Sequence, residues 1–172
     1  DSQRSFISSC SSTFFRANLI NQIVHGDPKI SNILFDDSTK LAVSLIDLDT
    51  VASGFIQYDI ADCLRSICNK SGEEPDHLSD VYFDLDLCIQ MLKGYYMAHS
   101  QPYRPKIKLI PESIKLITLE LSIRFFMDFL YGNIYFKAST PYQNLFKAEV
   151  QITLLGSIDE IYDTLVNQID NI

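Results

Sequence analysis

The sequence predicts a mostly α-helical domain carrying one small β-hairpin. Three observations predict it. Apolar residues recur at three- and four-residue spacing through much of the chain after Tyr58, the signature of helices with one buried face. Two short β-type runs, Ile33-Leu34-Phe35 and Val43-Ser44-Leu45-Ile46, flank Asp36-Asp37-Ser38, which supplies turn chemistry. Hydrophobic residues form 47% of the 172 positions, with 9 Tyr and 11 Phe, enough to build a core and far from a disordered composition.

Taken in order, residues 1–12 are polar and serine-rich, and Ser12 or Thr13 to Gln22 suits a short amphipathic helix with a hydroxyl cap. Ile23-Val24 reads as a very short strand running into His25, and Pro28 stops any helix from crossing the turn that follows. The hairpin of residues 33–46 comes next, and Ser53-Gly54 reads as a loop. Tyr58 to Cys68 places Ile60, Ala61, Leu64 and Ile67 on one stripe. A breaker at 69–75 precedes a long helix expected from Leu78 to His99, then a proline-bearing linker from Gln101 to Ile110. Pro111 suits a first helical turn, and Glu112 to Tyr131 is apolar enough to be central. Gly132-Asn133 ends it, and Pro141 to Ile169 is helical again, with a possible interruption at Gly156. The expected content is about five helices and one hairpin, in a single domain over 1–172.

Composition narrows the function. The net charge of −8 argues against nucleic acid, whose phosphates call for a basic face, and against a polybasic membrane anchor. No run of about eighteen consecutive apolar residues occurs, so no spanning helix is expected. Cys10, Cys63, Cys68 and Cys88 form no CxxC pair, and no histidine stands at metal-ligand spacing from them. Free thiols in a reducing cytoplasm are the expectation.

The chemistry concentrates in His25-Gly26-Asp27-Pro28-Lys29-Ile30-Ser31-Asn32-Ile33-Leu34-Phe35, followed by Ile46-Asp47-Leu48-Asp49 and Tyr58-Asp59-Ile60-Ala61. Asp27, Asn32 and Asp47 sit at the edges of apolar runs, where polar groups cost free energy unless used. An antiparallel hairpin lays the start of its first strand beside the end of its second, so Asn32 and Asp47 are expected to be neighbours. A loop carboxylate such as Asp27 can orient an attacking hydroxyl and take its proton. Asn32 and Asp47 supply the amide oxygen and carboxylate that suit magnesium. The alternative is that Asp27 merely turns the chain and Asn32 caps a strand.

With these motifs in this order, residues 25–65 resemble the catalytic and metal-binding segment of the aminoglycoside phosphotransferase and choline kinase superfamily, which is protein-kinase-like in fold. The resemblance implies Asp27 as catalytic base, Asn32 and Asp47 as ligands of magnesium and so of bound ATP, and Asp59 as a structural carboxylate bonding back to the catalytic loop. His25 would order that loop by hydrogen bonding. Asp49 is open between a second metal contact, a loop hydrogen bond and a plain hairpin-end position. Arg65 is expected to pair with an acid such as Asp62 or with the loop.

The second half, from Leu119 to Phe136 with Asn144-Leu145 and Gln151 to Leu155, is similar to bacterial N-acetylhexosamine kinases that phosphorylate the anomeric hydroxyl. That likeness implies a helical acceptor-binding subdomain over 78–172, with Arg124 and Tyr135 as candidates to bind the sugar and Asp128 and Asn133 as weaker ones. Arg124 offers five donors for sugar hydroxyls or an acetamido carbonyl, and Tyr135 a stacking face. The competing reading of Arg124 is an internal salt bridge to Asp128.

Kinase-like enzymes also need a lobe with a phosphate-covering loop and a lysine for the α- and β-phosphates. No glycine-rich strand–turn–strand stands before His25, so the chain is expected to be the C-terminal lobe alone, dependent on the missing N-terminal lobe for activity. Other readings are an aminoglycoside- or choline-type kinase lobe, a degenerate lobe acting as a binding module, and, more weakly, a metal-dependent hydrolase.

Overall fold

A computed structural model describes residues 5, 6, 8, 18–98 and 108–172. Within them the chain forms four α-helices, two two-stranded antiparallel sheets and three short 3-10 turns. The strands are β1 (Asn21–Val24), β2 (Ile33–Phe35), β3 (Ala42–Leu45) and β4 (Ala52–Phe55). The helices are α1 (Ile56–Ile67), α2 (Leu85–Ala98), α3 (Ile110–Leu130) and α4 (Gln143–Asp170).

The expected hairpin is present as β2–β3, with Ile33 opposite Leu45 and Leu34 opposite Ser44. Its turn is tied by Asp36, whose Oδ1 accepts the Ser38 and Thr39 amides at 3.1 and 2.7 Å and both hydroxyls at 2.6 and 2.9 Å. Those bonds, led by the Ser38 hydroxyl, hold the Asp36 carboxyl down to about 2.

A second sheet departs from the expectation. Asn21 and Gln22 belong to β1 rather than to the end of a helix, and Ser53 and Gly54 lie in β4 rather than in a loop. Asn21 pairs with Phe55 and Gln22 with Gly54. Glycine suits that position because a Cβ on Gly54 would meet Val24 Cγ2 at 2.7 Å. Asn18 to Ile20 are a turn and irregular chain rather than helix, and residues 12–17 of the expected first helix, with Cys10, lie outside the described residues.

The helix expected from Leu78 to His99 starts seven residues later. Leu78–Asp80 is a 3-10 turn, and Val81 and Phe83 are buried while Tyr82 is exposed, a period of two that belongs to extended chain. Asp84 then starts α2 by accepting the Leu87 amide at 2.9 Å, a cap that periodicity alone does not reveal. In α4 the helix runs through Gly156 without a break. Glycine costs about 1 kcal/mol there, and buried Leu154, Leu155 and Ile158 around it outweigh that.

α3 and α4 pack along each other, α1 leans on α3, and α2 on α4. The core joins Ala61 and Leu64 of α1, Leu92 of α2, Ile114 of α3, and Val150, Leu154 and Ile158 of α4. The β-sheets carry little of it. Ile23, Leu34, Leu41, Val43 and Leu48 are all exposed. No helix among the described residues is long and apolar enough to cross a membrane.

Candidate active site

The loop after β1 is held from α1. Asp59, in the first turn of that helix, accepts the His25 amide at 3.1 Å and the Gly26 amide at 2.7 Å. The Thr50 hydroxyl donates to the His25 carbonyl at 2.8 Å. Gly26 has φ of 85°, and a Cβ on it would lie 2.7 Å from the Thr50 carbonyl oxygen, so only glycine fits without displacing the turn. His25 is buried. Its Nδ1 accepts the Asp27 amide at 3.3 Å, and its Nε2 lies 3.0 Å from the Ile46 carbonyl oxygen. A carbonyl cannot donate, so these partners assign the Nε2–H tautomer. His25 thus ties the loop to the end of β3.

Asp27 is half-buried. The Asn32 Nδ2 donates to its carbonyl at 2.9 Å and to its Oδ2 at 3.1 Å, and Lys29 Nζ sits 2.6 Å from the same Oδ2. Two donors therefore fix one carboxylate oxygen, while Oδ1 has no hydrogen bond among the described residues. Asp27 raises the Lys29 pKa, chiefly through that hydrogen bond, with Asp47 adding to it through space. Lys29 is the residue that sequence reasoning missed. The available signal was a cation two positions from the carboxylate, across a proline that prevents a helix.

Asn32 and Asp47 stand at one mouth of the hairpin, where the Ile46 amide donates to the Asn32 carbonyl at 2.9 Å. Asn32 is buried, and its amide nitrogen is spent on Asp27, leaving its amide oxygen without a hydrogen bond among the described residues. Asp47 is exposed and adopts the left-handed conformation, φ 62° and ψ 56°. Non-glycine residues seldom do so, and such strain clusters at working sites. Asp49 is exposed in the following 3-10 turn and makes no hydrogen bond or ion pair among the described residues.

A cleft of about 1150 Å³ opens beside Asp27. Asp27, Lys29 and Asp59 line one side; Arg124 of α3 and Tyr135, Phe136 and Lys137 of the α3–α4 loop line the other. The fold thus brings Asp27, Arg124 and Tyr135 to one cavity, with Asn32 and Asp47 outside it on the hairpin side of Asp27. Arg124 lies over the rings of Tyr135 and Phe136, 5.7 and 5.3 Å from their centroids. Its ion pair is not with Asp128. Glu120, one turn back, stands 3.7 Å away, whereas Asp128 is turned toward the loop: its carboxylate accepts the amides of Ile134, Tyr135 and Phe136 at 3.0, 2.8 and 2.9 Å. Spacing of four on a helix permits the Arg124–Asp128 pair, but the three amides offer Asp128 better-directed donors.

Arg65 is buried at the floor, 2.8 Å from Asp62, 3.2 Å from Gln151 Oε1 and 3.6 Å from Glu73. Hydrogen bonds of this kind are what make a buried guanidinium tolerable. Cys63, Cys68 and Cys88 are free thiols. Burial pushes the Cys63 thiol up to about 11, away from a reactive thiolate.

Residues 13–84, fewer than half of the chain, match the family described as "Phosphotransferase enzyme family" (APH). The match spans the loop after β1, the hairpin and α1, so the segment that carries Asp27, Asn32, Asp47 and Asp59 is the part similar to phosphotransferases.

Proposed function

We propose that the chain is the catalytic and acceptor-binding part of an ATP- and magnesium-dependent small-molecule kinase, a protein-kinase-like lobe that transfers the γ-phosphoryl group to a sugar hydroxyl. The observation that carries the reading is the position of Asp27. One of its oxygens is held by Asn32 and Lys29 and the other has no hydrogen bond among the described residues, between the hairpin mouth on one side and the Arg124–Tyr135 wall on the other.

In this reading an acceptor hydroxyl in the cleft donates its hydrogen bond to the free Oδ1 of Asp27. As the oxygen attacks the γ-phosphorus, its proton passes to that carboxylate, and ADP leaves. Lys29 keeps Asp27 oriented, and its charge lies beside the transferring group. Asn32 Oδ1 and the Asp47 carboxylate would hold magnesium, which neutralises phosphate charge when bound. An amide oxygen and one carboxylate suit magnesium, which keeps water and phosphate oxygens as its other ligands. The exposed apolar side chains of the hairpin, Leu34 and Val43 among them, offer a surface for the nucleotide base. A separate phosphate-covering lobe belongs to the proposal.

For the acceptor we propose a neutral sugar, an N-acetylhexosamine phosphorylated at its anomeric hydroxyl. Arg124 stacked on Tyr135 supplies a flat ring surface beside directional donors. A cationic acceptor would need unpaired acids, and apart from Asp27 the acids of the cleft are engaged: Asp59 by two amides, Asp62 and Glu73 by Arg65, Glu120 by Arg124. A coupled ADP-release assay on the full-length protein over sugars, aminoglycosides and choline tests the reading. Turnover with an N-acetylhexosamine, abolished in Asp27→Asn, is expected. Turnover only with cationic acceptors, or none that depends on Asp27, overturns it.

A further inference from the structure

Asp128 does not contact the cleft, yet it determines how one wall of the cleft is built. It is 6% exposed, near the end of α3. Its Oδ1 accepts the Ile134 and Tyr135 amides and its Oδ2 the Phe136 amide, with Asn144 Nδ2 of α4 donating to Oδ2 at 3.0 Å. The same Asn144 nitrogen lies 3.0 Å from Asn133 Oδ1 and 3.2 Å from the Phe136 carbonyl oxygen. Asn133 in turn donates to the Pro141 carbonyl at 3.0 Å. The loop's other ties are ring contacts, Phe136 against Phe125 and Arg124 over Tyr135 and Phe136, while Ile134 and Tyr135 are 81% and 75% exposed. Three consecutive amides converging on one carboxylate fix three peptide planes at once. The next side chains along those planes are Tyr135, Phe136 and Lys137, which line the cleft facing Asp27.

We propose that Asp128, with Asn144 and Asn133, is the positioning device for the acceptor: a carboxylate clamp that holds the Ile134–Lys137 loop so that Tyr135 meets Arg124 and completes the acceptor wall. This rests on the reading of the cleft as an acceptor site. The clamp sets acceptor affinity and leaves the nucleotide side, on the hairpin, untouched.

The test is steady-state kinetics on the full-length protein with Asp128→Asn, Asn133→Gly and Ser122→Ala. Asparagine at 128 loses the charge and one acceptor. Glycine at 133 suits the positive φ of 60° there, so it removes the side-chain tie without straining the backbone. Ser122 is a buried α3 residue that bonds the Ala148 carbonyl and not the loop, so it reports general loosening of the helix pair. The expected result is an acceptor KM raised about tenfold in Asp128→Asn and about threefold in Asn133→Gly, on the scale of small misplacements in a site. The KM for ATP stays unchanged in both, and Ser122→Ala leaves both constants unchanged. An unchanged acceptor KM in both loop variants, or a shift of both substrates' constants that Ser122→Ala shares, overturns the proposal. If Asp128→Asn does not fold, Asn133→Gly decides alone. Wild-type protein that turns over no acceptor in an Asp27-dependent way overturns the reading of the site, and the clamp's role with it. Wild-type turnover with insensitive loop variants overturns the clamp alone.

Discussion

Two loops face each other across the cleft, and each is pinned by a carboxylate that a helix delivers. On one side Asp59, in the first turn of α1, accepts the His25 and Gly26 amides. On the other Asp128, in the last turns of α3, accepts the Ile134, Tyr135 and Phe136 amides. The device is the same: backbone donors that no strand or helix satisfies are gathered on one anion. The surroundings differ. The first loop is additionally locked by the His25 ring, the Thr50 hydroxyl and the β1–β4 pairing. The second has the Asn144–Asn133 tie and aromatic contacts, with Phe136 against Phe125 at 4.5 Å. If Asp27 is the base of the proposed kinase, that inequality holds the carboxylate rigidly and leaves the acceptor wall easier to adapt. Under the proposed function, the more heavily braced wall would carry the chemistry and the lightly braced wall the selectivity.

The comparison can be broken in graded steps. Asp27→Asn removes the chemistry while leaving both clamps, and turnover is expected to fall by roughly 10²–10⁴-fold with an unchanged thermal midpoint; a coupled ADP assay and calorimetry check it. Asp59→Ala strands two amides, so a loss of about 1–3 kcal/mol in stability is expected, together with loss of turnover, by urea unfolding and the same assay. Asp47→Gly separates strain from function. Relief of the left-handed backbone at 47 is expected to raise stability by up to about 1 kcal/mol, while magnesium-dependent turnover disappears; a variant that keeps its magnesium dependence would remove Asp47 from the ligand set.

Acid titration sharpens the contrast further. The three loop amides outweigh desolvation and hold the Asp128 carboxyl below its ordinary 3.8. A carboxyl depressed in the folded state stabilises fully above its unfolded value, and loses that contribution as pH falls through the folded one. The Ile134–Phe136 amide resonances are therefore expected to hold their positions as pH falls to about 4 and to move only below that. The smallest effect is Glu120→Gln, which removes an exposed pair with Arg124 and is expected to change stability by under about 0.5 kcal/mol, with the acceptor KM within about twofold.

How much of this was legible beforehand follows from the range of the forces involved. The β2–β3 hairpin and its Asn32–Asp47 mouth were readable because turn chemistry and strand alternation are local, and antiparallel pairing then places the two ends together. Sheet β1–β4 was not. Its strands are only four residues long, lack alternation, and find each other across 27 intervening residues. The start of α2 was hidden because a helical period and an extended period overlap over Leu78–Asp84, and the Asp84 cap decides between them.

The amino-acid order by itself determined where α1, α3, α4 and the hairpin lie and which acids and amide stand at turn ends, because propensity, proline and apolar spacing act within a few residues. Tertiary structure alone decided the partners. Arg124 and Asp128 are one helical turn apart and could have paired, yet Asp128 turned to three loop amides and Arg124 to Glu120 and two aromatic rings. A charge takes the best-directed donors within reach, and which donors are within reach is known only once the α3–α4 loop has folded back.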